Sequence, residues 1–189
     1  PLGTHTYGFT ITAPSSVVPT IGGVTASPVN DNAVLADWGI YAQGKSKANL
    51  AITGAAGAYG STIQSYSITT SPSIGAAPGA SMQTGTINAT GTVAITGTVT
   101  DSRGYTASKT TTISIYPYAA PSFAPVSVYR CTSNGTRNDT DGTYVYLKCT
   151  FGRSALSGGN NVTGSVTVKQ VGGSYTTTSA ITSGAGIIL

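Results

Sequence analysis

Thr92-Val93-Ala94-Ile95-Thr96-Gly97-Thr98-Val99-Thr100 sets Val93, Ile95, Gly97 and Val99 on one side and Thr92, Ala94, Thr96, Thr98 and Thr100 on the other. A period of two is that of a strand with one buried face. Further on, Ile113 and Ile115 alternate with Thr112 and Ser114. Between the two runs stands Asp101-Ser102-Arg103-Gly104. Gly104 takes positive φ without a Cβ penalty, and the Asp101 carboxylate can cap turn amides. Thr92 to Tyr116 therefore reads as a hairpin. A second use of Asp101 and Arg103, as a ligand site or integrin-like contact, asks for more than turn chemistry needs.

Outward from this hairpin the composition favours the same class. The chain has 189 residues with 25 Gly, 11 Tyr and 7% charged residues. Thr, Val, Ile and Tyr suit a pleated, half-buried surface, and the usual helix surface formers are scarce. Earlier strands are expected over Ile21 to Ser27, Val34 to Tyr41, Lys47 to Ile52 and Ile63 to Thr69, with a weaker one near Met82. Trp38, the one tryptophan, is expected in the core, where its large area packs best.

A weak internal repeat organises the chain. Pro19-Thr20-Ile21 and Val24-Thr25-Ala26 match Pro121-Ser122-Phe123 and Val126-Ser127-Val128. Trp38 and Gly44-Lys45-Ser46 match Tyr146 and Gly152-Arg153-Ser154, and Tyr66-Ser67-Ile68 matches Val166-Thr167-Val168. The offset stays near one hundred residues, too long for a solenoid unit and right for an immunoglobulin-like sandwich. The expected fold is all-β: tandem immunoglobulin-like or fibronectin-type β-sandwich modules, the second incomplete.

The expected division is 1–13, the last strand of a preceding unit or a tag plus strand; 14–117, one sandwich; and 118–189, a second and truncated sandwich. Tyr116-Pro117-Tyr118-Ala119-Ala120-Pro121 separates the modules, because its prolines remove ladder donors; such a linker is semi-rigid. Thr6 to Thr12 reads as an orphan strand that ends a preceding unit or completes a neighbour by strand donation. The second unit lacks counterparts of Thr90 to Tyr116, so the chain is expected to be a fragment of a longer array.

Catalytic machinery is hard to assemble from these residues. His5 is the only histidine and Glu is absent, leaving Asp31, Asp37, Asp101, Asp139 and Asp141 as the carboxylates. The expectation is no enzyme and no cofactor. Asn138-Asp139-Thr140-Asp141-Gly142 resembles a calcium loop, so Asp139 and Asp141 are metal candidates, but it lacks the later bidentate Glu and is better read as a turn. Cys131 and Cys149 permit a disulfide without demanding it; a hairpin turning between Thr132 and Gly142 keeps them apart, and free buried thiols are expected. The formal charge of +4 is scattered, not gathered on one stripe, so nucleic acid is not an expected partner. No apolar run is long enough to span a bilayer, and no membrane insertion is expected.

Trp38-Gly39-Ile40-Tyr41-Ala42-Gln43-Gly44-Lys45-Ser46-Lys47, Gly60-Ser61-Thr62-Ile63 with Tyr66, and Val99-Thr100-Asp101-Ser102-Arg103-Gly104 carry a resemblance. Over most of Thr6 to Lys169 the chain resembles the immunoglobulin-like repeats of minor structural tail proteins from long-tailed phages of Gram-positive bacteria. That resemblance implies a virion component of the tail or tail tip. Its role would be to space and position host-contacting parts, with weak host adhesion through loops. The implied partners are other tail proteins, neighbouring repeats of the same chain, and host cell-wall polysaccharide. The rival reading is a bacterial cell-surface adhesin or carbohydrate-binding module, extracellular and not virion-borne. Tyr59, Tyr105, Tyr118 and Tyr175 are the candidate ligand-contacting aromatics, since a binder clusters exposed rings and a spacer buries or scatters them.

Overall fold

A strand with one apolar face needs a second layer to cover it. In chain order the first part of the molecule forms β1 (Gly23–Asn30), helix α1 (Ala33–Trp38), β2 (Tyr41–Ala42), β3 (Ser46–Thr53), β4 (Ile63–Ser71), β5 (Ala77–Pro78), β6 (Ser81–Gln83), β7 (Gly91–Asp101) and β8 (Thr106–Tyr116). The computed structural model describes residues 3–10, 17–169, 172–175 and 177–189. The chain divides into two units, Pro1–Tyr116 and Pro117–Leu189.

In the first unit one sheet has the order β1-β3-β6 and the other the order β2-β8-β7-β4-β5. Every neighbouring pair is antiparallel except β2 with β8. The expected hairpin is β7 and β8, with Val93 opposite Ile113. Val93, Ile95 and Val99 are fully buried, and they share one core with Ile113 and Ile115 of β8, Ile68 of β4 and Ala48, Leu50 and Ile52 of β3. A core fed by two facing sheets is a β-sandwich. Each fully buried aliphatic side chain there contributes about 1.5–3 kcal/mol.

Gly97 sits on the buried face of β7, where the alternation would otherwise call for a branched side chain. A Cβ at Gly97 would lie 2.7 Å from Ile52 Cγ1 and 2.8 Å from Val24 Cγ2, so these two side chains of the opposite sheet occupy the space it leaves. Lys109, opposite Gly97 in the ladder, donates from Nζ to the Gly22 carbonyl at 2.8 Å and ties β8 to the chain entering β1. Tyr41 closes the core from β2, with a buried hydroxyl that has no hydrogen-bond partner among the described residues. Burial alone raises the pKa of that hydroxyl.

The stretch Val34 to Tyr41 is not the strand that its apolar content suggests. Asn32 caps α1, its Oδ1 accepting from the Leu35 amide at 3.1 Å. Gly39 ends it in the left-handed region at φ 61, a conformation glycine adopts without penalty. These local signals outweigh the strand preference, and Leu35 is the residue the helix buries. Trp38 is therefore not in the core; it is 37% exposed. Asn30 fixes the segment by donating from Nδ2 to the Leu35 and Ile40 carbonyls, both at 3.1 Å. Its Oδ1 accepts from buried Ser46 Oγ, which in turn accepts from the Ala42 amide at 2.8 Å.

The second unit forms β9 (Ser122–Cys131), β10 (Tyr144–Gly152), β11 (Gly164–Val168), β12 (Thr177–Ile181) and β13 (Gly186–Ile188), with a 3-10 turn at Leu156–Gly158. Its sheets have the orders β13-β10-β9 and β11-β12. Cys131 pairs with Tyr144, five positions before Cys149 on β10. Alternation along β10 turns the two thiols to opposite faces, about 17 Å apart along the strand. Both are buried and free.

Two alignments of the repeat do not survive in the fold. Trp38 ends a helix while Tyr146 lies mid-strand, and Gly44-Lys45-Ser46 leads into β3 while Gly152-Arg153-Ser154 leads out of β10. Val24-Thr25-Ala26 and Val126-Ser127-Val128 fall in β1 and β9, and Tyr66-Ser67-Ile68 and Val166-Thr167-Val168 in β4 and β11, whereas Pro19-Thr20-Ile21 precedes β1 and Ser122 and Phe123 lie within β9. The orphan strand expected over Thr6 to Thr12 would take its partners from a preceding or neighbouring unit; residues 3–10 pair with no strand among the described residues, and Tyr7 and Phe9 are exposed. No ladder partner reaches this segment among the described residues, and its backbone is left to solvent. Residues 11 and 12 lie outside the described residues.

Gly97→Ala tests the inter-sheet contact. The added methyl is expected to destabilise the first unit by about 1–3 kcal/mol through overpacking, read as a lowered denaturation midpoint with an unchanged slope. A Gly97→Ala variant as stable as the parent would show that Ile52 and Val24 do not fill that space.

Candidate functional site

The β7–β8 turn is organised by a fully buried carboxylate. Asp101 Oδ1 accepts from the amides of Arg103 and Tyr105, both at 3.0 Å. Its Oδ2 accepts from Arg103 Nη2 at 2.7 Å and Nε at 3.1 Å. Gly104 completes the reversal at φ 87. The turn reading of Asp101 and Gly104 is the one realised. Ser61, from the loop between β3 and β4, places Oγ 2.9 Å from Oδ2. Burial by itself pushes the Asp101 pKa up, but the bonds from Arg103, Ser61 and the two amides more than offset it, and the pKa falls from 3.8 to about 2.

Asp101 thereby joins two loops into one surface. The Ser102 amide donates to the Thr62 carbonyl at 2.8 Å. Ser61 Oγ also lies 2.9 Å from the Ala58 carbonyl, so its single proton serves one acceptor at a time. Between them Tyr59 and Gly60 form a tight turn, with the Ser61 amide on the Ala58 carbonyl at 3.1 Å. Both central residues have positive φ, 49 and 76, the pattern of a type I′ turn. Gly60 is suited to this and Tyr59 is not: a bulky residue held there costs about 1–3 kcal/mol. Tyr59 is nevertheless 78% exposed, so its ring gains little from packing.

Tyr105 stands on the neighbouring turn, exposed, with the Arg103 guanidinium 5.3 Å from its ring centroid. Arg103 also donates from Nη2 to the Val17 carbonyl at 2.5 Å, so the same cation fixes the carboxylate, the ring and the chain before β1. Tyr59 and Tyr105 thus share one loop end of the first unit. The other two candidate tyrosines belong to the second unit. Tyr118 is half-buried, and Tyr175 is exposed with Lys169 Nζ 4.9 Å from its ring centroid.

The loop carrying Asp139 and Asp141 is built as a turn around Asn138. Asn138 Oδ1 accepts from the Thr140 amide at 3.2 Å and the Asp141 amide at 2.9 Å. Asp139 pairs with Arg137 at 2.8 Å. Among the described residues no three His, Cys, Asp or Glu side chains gather as a metal-binding group. Sequence reading did not find Ser61 as the partner of Asp101, nor the strained backbone of Tyr59. The first lies forty positions from its partner in sequence. For the second, Tyr59-Gly60 before a Ser was the only local signal.

The depressed pKa of Asp101 gives a pH dependence with a definite sign. Its contribution is full above about pH 4 and is lost as pH falls through the folded-state value of about 2. Thermal melts between about pH 5 and pH 2 should show this loss. Asp101→Asn should lower the melting temperature at neutral pH and flatten the acid limb; an unchanged acid limb would remove Asp101 from the account.

No curated protein and no solved structure matches the chain. A family model matches residues 1–138, a span that takes in the sandwich, the Asp101 turn, both loop-end tyrosines and β9. The chain belongs to the family it describes, "Siphovirus protein of unknown function (DUF859)".

Proposed function

We propose that the chain is a non-catalytic structural component of the siphovirus tail. Its first unit acts as an immunoglobulin-like spacer whose aromatic loop end makes weak contact with polysaccharide on a Gram-positive host surface. Lettering β1, β3, β4, β6, β7 and β8 as A, B, C, E, F and G gives A-B-E facing G-F-C, the Greek-key arrangement of immunoglobulin-like sandwiches, with β5 beside C. The unit devotes its interior to aliphatic packing. Its one buried carboxylate is tied up in a turn. The weakly charged, hydroxyl-rich chain suits a particle exterior.

The observation that carries the contact surface is Tyr59. Strained backbone under an exposed ring has no stability rationale, and such outliers gather where a surface does work. Tyr59 and Tyr105 present two rings from loops that Asp101 holds rigid, which lowers the ordering cost of binding a flexible glycan. The adhesin reading shares this surface and differs in location.

Two measurements test the proposal. Immunogold labelling with antibodies against the chain should decorate virion tails; label on capsids, or none on intact virions, would overturn the structural assignment. Tyr59→Gly should stabilise the unit by about 1 kcal/mol by relieving the left-handed tyrosine, while weakening retention on purified Gram-positive cell-wall polysaccharide. Unchanged retention in both Tyr59→Gly and Tyr105→Ala would remove the loop end from any binding role and leave the spacer.

A further inference from the structure

Strand for strand, the second unit repeats part of the first. β9, β10 and β13 pair as β1, β3 and β6 do, with the second of each set central and all neighbours antiparallel. β11 and β12 pair as β4 and β5 do. The registers also correspond: Val128, Leu147 and Ile187 form one cross-strand row where Ala26, Leu50 and Met82 form it in the first unit. The difference lies at one edge. β4 carries β7 on the side away from β5, with β8 beyond it; among the described residues the corresponding side of β11 has no partner strand.

Burial marks the same place. Leu50 is closed off from solvent and Ala26 is half-buried, whereas their counterparts Leu147 and Val128 are half-buried and 63% exposed, respectively; Phe123, matched with buried Ile21, is 67% exposed. A groove of about 430 Å³ lies between the sheets, lined by Phe123, Phe151, Val162 and Gly164. Its floor is where the sheets meet: a Cβ on Gly164 would lie 2.7 Å from both Ile181 and Phe151. The open edge belongs to β11, which also lines the groove; in the first unit β7 pairs with the matching edge of β4 and packs Gly97 against Ile52 and Val24 of the opposite sheet.

We infer that β11 is an acceptor edge for a two-stranded β-hairpin of the β7–β8 kind. Its first strand pairs antiparallel with β11 through backbone hydrogen bonds, and its alternate Val and Ile side chains fill the groove. Two strands are required, because in the first unit both reach the β1 side: Val24 packs at Gly97 of β7, and Lys109 of β8 donates to the Gly22 carbonyl. The Thr-rich outer face of such a hairpin matches the solvent face of β7 and β8.

The test extends the full chain after Leu189 with a second copy of its own segment Thr84 to Tyr116, which supplies the hairpin with its native connection. Amides of Gly164–Val168 should then exchange at least about tenfold more slowly than in the unextended chain, with β4 amides unchanged as an internal reference. An extension carrying Ile95→Asp and Val99→Asp in the appended copy should lose that protection. Unchanged exchange at β11 in the extended chain, or equal protection from the doubly substituted extension, overturns the inference. So does protection of β11 in the unextended chain that grows with protein concentration, since a second copy would then be covering the edge.

Discussion

Ile52 and Val24 reach across the sandwich into the space that Gly97 leaves in β7, and the rest of the first unit is arranged around that close approach. β7 is central in its sheet, paired with β4 on one side and β8 on the other. A slip of one residue in β7 would send Thr92, Thr96 and Thr98 inward and turn Val93, Ile95 and Val99 to solvent. It would also put a threonine side chain where the opposite sheet already has Ile52. The alternation and the glycine thus enforce the same register, one by burial and the other by exclusion.

Where β7 ends, the chemistry changes from apolar packing to a single buried charge. Asp101 is tolerated in the interior because five donor contacts, three of them from Arg103, converge on its two oxygens. A buried carboxylate so satisfied costs little to keep and much to disturb. It gives the loop end a rigid base, and on that base the molecule holds a tyrosine in a backbone conformation better suited to glycine.

The two units use one pairing scheme at different stages of closure. In the first, the hairpin β7–β8 pairs with the edge of β4 and packs against the apolar face of the β1-β3-β6 sheet; in the second, the matching edge of β11 has no partner strand among the described residues, and the apolar face of the β9–β10 sheet is partly exposed. Membership of a siphovirus family gives this a setting. Modules that share a pairing scheme place similar edges and similar apolar faces at regular intervals along a chain, and an unpaired edge is a natural point of attachment.

Local chemistry in the sequence was enough for several features. The period of two across Thr92 to Thr100, the Asp101-Ser102-Arg103-Gly104 reversal, the strands around Lys47 to Ile52 and Ile63 to Thr69, and the separation of Cys131 from Cys149 all follow from side-chain alternation and turn preference. Tertiary structure decided what depends on contacts remote in sequence or on capping geometry. Val34 to Trp38 became helical because Asn32 and Gly39 terminate a turn of helix that Asn30 and Ser46 then hold, leaving Trp38 outside the core. Whether Thr6 to Thr10 joins a ladder depends on a second segment, and none among the described residues pairs with it. Ser61 meets Asp101, and Tyr59 is held at positive φ, only because two loops close on each other. Periodicity reports which face of a segment is apolar; what lies against that face is set by long-range packing.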